Sequence, residues 1–246
     1  MACWFAVVAD AELLGDLRER VLDEAEPLAG LLRTCLALGA VTGSKQLRLW
    51  AAQELKGYQK TAEVPAYRKL LLPLAADTIS PFGEVILGQS LPRPMIPAEG
   101  ERLIPERLPI LLPIEHLAGM AGAGDEHKVE HPNCAYVASM WNQQRSEDNP
   151  RISQLYYKLP STALLGVLSI VRTTLVEMVM DMAKDVPLHQ LPSRKQADAA
   201  VHVHVNGSQY NVNVDTNAGI IGQGTHASQT QTGVPDHTAT PPATHV

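Results

Sequence analysis

WAAQELKGYQKTAEVPAYR, residues 50–68, decides the reading of this chain, because a helix, its stop and a fixed turn follow one another in it. Trp50, Leu55 and Tyr58 fall near one helical stripe, and Ser44 supplies an N-cap for that helix. Gly57 stands where a helix end calls for a residue of positive φ. Pro65 then fixes φ and with it the direction of Tyr67 and Arg68 relative to the helix. Glu54 and Arg68 are opposite charges that the turn can bring together. Nothing in the stretch is a catalytic signature.

Towards the N-terminus, Leu13, Leu14, Leu17, Val21 and Leu22 predict a helix over about residues 10–25. Pro27 suits the first turn of a second helix, with Leu28, Leu31, Leu32, Cys35 and Leu36 on one face. Gly39 and Gly43 bracket the turn into the helix of residues 44–56, so residues 1–58 read as three helices with short connections. From Pro73 to Pro113 helical periodicity fails. Pro81, Pro92, Pro94, Pro97, Pro105, Pro109 and Pro113 confine this stretch to extended segments and very short helices. Its apolar residues, among them Val85, Ile86 and Leu87, predict an ordered arm wrapped around the helical body.

Residues 114–120 suit a short helix, and Ile152 to Leu159 a strand or an extended lead-in. A long helix over residues 162–184, N-capped by Ser161 and stopped by Pro187, carries Leu164, Leu168, Val171, Leu175, Met178 and Met182 at spacings of four and three. Leu165 and Val179 widen that stripe into a bundle face, and Met178, Met180 and Met182 make a soft surface for partner helices.

The tail differs in kind. Val201, Val203 and Val205 alternate with His202 and His204, and Asn206-Gly207 is a strong hairpin signal. A turn there places Val201, Val203, Val205, Tyr210 and Val212 on one apolar face, which an isolated hairpin cannot leave wet. These five residues are the oligomerisation candidates. The expected organisation is a helical domain over residues 1–187, a linker over 188–198, a β-rich tail over 199–224, and disorder over 225–246. The fold class expected is therefore mainly α: a bundle-like helical domain with a proline-rich arm and a short β-hairpin tail.

On Trp50, Glu54-Leu55, Gly57-Tyr58 and Pro65, Tyr67 and Arg68, the chain resembles the AbiTii domain, a helical domain linked to abortive-infection defence against phage in bacteria. Phe82-Gly83, Ile96-Pro97 and Val171-Arg172 follow in the family's order, so the resemblance spans roughly residues 10–185. It implies a role in antiphage defence, with Trp50, Glu54, Gly57, Tyr58, Pro65, Tyr67, Arg68 and Arg172 as family-motif structural residues. It transfers no catalytic residue.

The 246 residues suffice for a sizeable core, and 45% hydrophobic content fits a folded protein. A net charge of −6 with 4% aromatic residues argues against nucleic-acid binding and against attraction to anionic membrane. Beyond residue 198 only Asp215 and Asp236 are charged. Cys3, Cys35 and Cys134 form no Cys-x-x-Cys pair, which predicts a reducing compartment and a cytoplasmic protein. MACWFAVVAD lacks the positive n-region of a signal peptide and is short for one. Leu159 to Val171 is too short to span a bilayer, and Arg172 interrupts it.

His127, His131 and Cys134, beside Asp125 and Glu126, have a spacing compatible with zinc. A Gly-rich lead-in and Pro132 favour a solvated loop instead, so no metal is expected. His202 and His204 fit the wet face of an amphipathic strand better than a metal site. The Gly39–Lys45 stretch has the wrong spacing and order for a phosphate loop. Arg172, beside the apolar stripe, suits a pairing with an acid such as Glu177 or Glu54 better than a ligand. No nucleophile elbow or dinucleotide fingerprint is present. The expectation is a non-enzymatic oligomerising or partner-binding module, a homo-oligomer with a host or phage protein partner, no cofactor, no nucleic acid and no membrane. The alternative is a toxin enzyme, nuclease or nucleotide-directed, built from scattered acids and histidines.

Overall fold

The computed structural model describes residues 12–187 and 190–207, which lie in the first of the two units of the chain, Met1–Asp215. Helix α1 (residues 12–20) buries Leu14 and Leu17. Pro27 is the N-cap of α2 (Leu28–Val41), which buries Leu31, Leu32, Cys35 and Leu38 on one face. Helix α3 (Lys45–Lys56) starts at Ser44, whose Oγ accepts from the Leu47 N–H at 3.1 Å. That Oγ in turn donates to Asp198 at 2.6 Å, tying the start of α3 to a segment far along the chain. The absence of a side chain at Gly39 sets how closely α2 and α3 approach, since a Cβ there would meet the Arg48 backbone nitrogen at 2.8 Å.

A 3₁₀ turn (Ala66–Arg68) leads into β1 (Lys69–Leu71), which pairs antiparallel with β4 (Arg107–Pro109). The larger sheet holds β2 (Leu74–Ile79), β3 (Val85–Leu91), β5 (Glu126–Val129) and β6 (Arg151–Pro160) in the order β3-β2-β6-β5. Every pairing in it is antiparallel, with Ala75 opposite Tyr156, Asp77 opposite Gln154 and Lys128 opposite Lys158. Side chains alternate across a strand. Leu155, Tyr157 and Leu159 of β6 therefore join the core, and Gln154, Tyr156 and Lys158 lie on the other face.

Between the strands run α4 (Ala98–Glu101), α5 (Ile114–Gly122) and α6 (Cys134–Gln143), and after β6 come α7 (Ser161–Ala183) and α8 (Arg194–Val201). Helix α6 packs on β6, and the Asn142 amide clamps the two together by bonding both the N–H and the carbonyl of Ile152, at 2.9 and 2.8 Å. Helix α7 contacts α5 and α8, and it buries Leu164, Val167, Val171, Leu175, Met178, Val179 and Met182. By length and composition alone α7 is also long and apolar enough to cross a membrane. In the fold it is the central core helix.

The expectation of a mainly α bundle with a peripheral proline-rich arm and a β tail is overturned. The structure mixes α and β, and its strands are central. The prolines do break helix, as the sequence implies. Of the extended segments between them, β2 pairs with β6, some eighty residues further along, while β3 pairs with β2 and β4 with β1, instead of wrapping helices. Such long-range pairing leaves no periodic mark in either partner.

The expected first strand of the tail is also corrected. Ser193 caps α8 with a reciprocal capping box to Gln196, and the helical path continues through a π-type turn, His202–Asn206. Val201 and Val205 are then one helical turn apart and buried, while Val203 points outward at 54% exposure. The three valines do not share a face. Helix α8 rests on α3 and α7, where a linker was expected. His204 reaches back to α7, its Nε2 2.7 Å from Asp181 Oδ2 and its Nδ1 3.3 Å from Glu177 Oε2. Tyr210 and Val212 lie outside the described residues.

The two geometries of the tail separate by mutation. Val201→Ala and Val205→Ala are each expected to cost about 1–2 kcal/mol, from lost burial of a branched side chain. Val203→Ala is expected to stay within about 0.5 kcal/mol, as exposed positions do. Urea unfolding of the full chain measures all three; equal costs would restore the strand.

Candidate functional site

The motif of residues 50–68 closes into a buried polar lock. Glu54, on α3, and Arg68, at the end of the 3₁₀ turn, are both fully buried and form an ion pair through Oε2 and Nη2. Glu54 Oε1 accepts from the hydroxyls of Tyr58 and Tyr67 at 2.6 and 2.8 Å. The Trp50 Nε1–H donates to the Tyr67 oxygen at 2.9 Å. Arg68 also donates to the Leu112 carbonyl at 3.0 Å and lies 5.4 Å from the centre of the Tyr58 ring.

Burial alone would lower the Arg68 pKa, but Glu54 and the two phenols outweigh it and hold the value above its usual level. Burial, followed by the negative Glu54, pushes both tyrosine pKa values up, so both phenols stay protonated as donors.

Gly57 makes this closure sterically feasible. Its φ of 85° and ψ of 165° place it in a region that is essentially glycine's alone, and a Cβ would meet the Leu111 carbonyl oxygen at 2.6 Å. The next residue, Tyr58, donates its N–H to that same oxygen at 2.8 Å. The positive φ expected of Gly57 is present, with an extended ψ in place of the left-handed helical one. These motif residues hold α3, the turn of residues 66–68 and the segment of residues 111–113 together, and they turn no reactive atom towards solvent.

Arg172 pairs with neither Glu177 nor Glu54. It donates to the backbone carbonyls of Asp23 and Glu26 at 3.0 and 2.5 Å, pinning the turn between α1 and α2 to α7. Both Met178 and Met182 are core residues.

The zinc-like spacing does not converge. His127 on β5 has its Nε2 3.1 Å from the Met120 carbonyl oxygen. His131 accepts the Asn133 N–H at 3.3 Å, and burial lowers its pKa. Cys134 is buried at the start of α6, with its pKa raised chiefly by burial. Among the described residues no three His, Cys, Asp or Glu side chains gather where they could hold a metal ion.

A second polar cluster had no sequence signal. On the outer face of the sheet, Asp77 Oδ1 accepts from the Gly88 N–H at 2.8 Å and the Tyr156 hydroxyl at 2.9 Å, and Oδ2 accepts from Lys128 at 2.6 Å. Gly88, at φ 68°, bulges β3 inward to reach it. The Lys128 ammonium also sits 4.5 Å from the Tyr156 ring centre. Burial works to raise the Asp77 pKa, but these donors outweigh it and hold the carboxyl below its ordinary value.

Nearby, α6 and β6 flank a cleft of about 900 Å³ lined by Glu130, Ser139, Gln143, Arg151 and Gln154, with no histidine or cysteine in its wall among the described residues. A groove of about 680 Å³ lies between α3 and the C-terminal turn, lined by Trp50, Val64, Lys69, Val201 and Val205.

The remaining distinctive surface is the β2–β3 hairpin. Its turn is well built: the Ser80 N–H donates to the Glu84 carbonyl at 2.8 Å, and the Gly83 N–H to the Ser80 carbonyl at 2.9 Å. Yet Ile79, Phe82, Val85, Ile86 and Leu87 are all exposed, Phe82 at 94% and Leu87 at 69%.

The AbiTii family model matches residues 12–204, most of the chain, and the chain belongs to the AbiTii family, whose name ties it to abortive infection. No curated protein and no solved structure matches it.

The two polar clusters can be tested separately. Glu54→Gln leaves the Arg68 charge buried without its counter-ion, and is expected to cost about 3–5 kcal/mol in urea unfolding. For Asp77 the folded pKa is depressed, so its stabilisation is full above the unfolded carboxyl value and is lost as pH falls through the folded value. Asp77→Asn should therefore destabilise the protein at neutral pH and flatten the fall in melting temperature below about pH 4. An unchanged acid limb in the variant would remove Asp77 from that transition.

Proposed function

We propose that this AbiTii-family protein is a non-enzymatic oligomerising or partner-binding module, acting in the bacterial cytoplasm during abortive infection. The observation that carries the proposal is the exposed apolar β2–β3 hairpin, set against a charged motif whose members are buried and partnered among themselves. A rigid turn that presents Phe82 and three consecutive branched apolar residues to water costs solubility, and contiguous apolar patches of this kind are characteristic of protein interfaces. Free, buried Cys35 and Cys134 fit a reducing compartment.

The competing reading, a toxin enzyme, would place its substrate in the cleft between α6 and β6. There Glu130 is held by the Gln154 amide and Asn142 is committed to the β6 backbone. Asp77, which also lines the cleft, has its carboxylate taken by Gly88, Tyr156 and Lys128, and Ser153 donates to the Asp77 backbone carbonyl, so neither is paired as base and nucleophile.

Phage challenge of cells expressing full-length variants decides between them. Phe82→Asp with Leu87→Asp is expected to abolish protection while the protein accumulates normally. Glu130→Gln with Arg151→Gln is expected to leave protection intact. Loss of protection from the second pair alone would favour the enzyme.

A further inference from the structure

We infer that the free edge of β3 is the contact through which two copies of this chain pair, antiparallel about a two-fold axis at Ile86, joining their sheets into one. The inference rests on the interaction-module reading and names its partner.

The two edges of the larger sheet are built differently. One edge, β5, is four residues long, with Glu126 and Lys128 exposed along it; short, charged strands resist edge-to-edge addition. The opposite edge, β3, is seven residues long, contains no Lys and no Pro, and exposes Val85, Ile86 and Leu87 in sequence. Among the described residues no strand pairs with that edge, because β2 occupies the other side of β3. From Ile79 to Leu91 Glu84 is the one charged residue. By the rules that keep edges apart, β5 is short and charged, whereas β3 has only the bulge at Gly88 and no charge or Pro over its apolar run, Val85 to Leu87.

A second copy suits this edge better than the other occupants. An edge strand pairing with its own copy is necessarily antiparallel when the axis is a two-fold, and the patch is then self-complementary. With the axis at Ile86, Ile86 faces the partner's Ile86 and Val85 faces the partner's Leu87, and regular pairing stops at the Gly88 bulge on either side. The apolar residues thus meet one another. The two Glu84 carboxylates lie about 14 Å apart along the strands at roughly 3.4 Å per residue, beyond a Debye length of about 8 Å. An axis further along the strand would set Gln89 or Ser90 against the branched side chains.

The area is of the right order. Ile79, Phe82, Val85, Ile86 and Leu87 expose roughly 600 Å² of apolar side chain per copy, against about 800 Å² of total surface per partner in a stable interface. The strand backbones supply the remainder. A membrane surface fits less well, because the hairpin has no Lys or Arg to meet anionic headgroups and carries Glu84 beside its tip.

The test uses the full-length chain. Light scattering after size exclusion is expected to give twice the monomer mass. Val85→Lys with Leu87→Lys is expected to give the monomer mass with unchanged far-ultraviolet circular dichroism. Ile86→Cys supplies an independent readout, since directly opposed residues in an antiparallel pair lie about 4.5–5.5 Å apart at Cα, within disulfide reach. Mild oxidation should yield a covalent dimer from Ile86→Cys and none from Ser90→Cys or the parent chain.

A monomeric parent protein, a dimer that survives the lysine pair, or no cross-link at residue 86 would each overturn the inference. So would hairpin-dependent sedimentation of the monomer with phosphatidylserine vesicles. If the parent is monomeric while the Phe82→Asp, Leu87→Asp double variant still loses protection in the phage assay, the second copy is refuted and the interaction-module reading stands. If protection also survives, both fail.

Discussion

Everything in the helical half of this protein is referred to one buried contact, the carboxylate of Glu54 against the guanidinium of Arg68. Taking two charges out of water costs several kcal/mol for each, so such a pair is stable only when most of its remaining donors and acceptors are also met. Tyr58, Tyr67 and the Leu112 carbonyl meet all but the buried Arg68 Nε–H, which has no partner among the described residues. The requirement dictates position: α3, the turn after Pro65 and the segment before α5 must all arrive at the same point. From there Arg68 leads directly into β1, and β1 pairs with β4 just upstream of that segment. The lock therefore sets where the helices end and the strands begin.

The larger sheet is stabilised differently. Its inner face is apolar and joins the common core, while its outer face is organised around Asp77, whose carboxylate receives donors from β3, β5 and β6. Drawing Gly88 inward bends β3 at that point. The distal half of the hairpin then runs past the protein body with both faces in water. A polar network that tightens one part of the sheet thus leaves another part uncovered, which is why the functional reading centres on the hairpin. The charged motif that carries the family likeness is occupied in folding.

Local signals in the sequence proved informative at several helix ends, though Ser161, expected to cap α7, is its first residue and donates to the Asp125 carbonyl instead. Ser44 caps α3, Pro27 precedes α2, Gly57 takes positive φ, and the four-and-three spacing from Leu164 to Met182 marks the buried face of α7. Each depends on residues a few positions apart. The tail shows the reverse. Alternating valines before Asn-Gly carry the hairpin signal, yet a capping box at Ser193 and the apolar surfaces of α3 and α7 draw Val201 and Val205 into a helix. Propensity is a weak prior where tertiary burial is on offer.

By itself, then, the sequence determined the starts of α2 and α3, the turn that brings Glu54 near Arg68, and membership of a defence-associated family. Tertiary structure alone decided that β2 and β6 pair, that Asp77, Lys128 and Tyr156 meet, that Arg172 bonds backbone carbonyls, and that the apolar residues from Ile79 to Leu87 stay outside the core. The division has a physical cause. Caps, proline and glycine act through backbone geometry within one turn, and so can be read locally. Strand pairing and side-chain burial depend on which distant surface arrives, and in an antiparallel sheet with partners some eighty residues apart no local pattern records that.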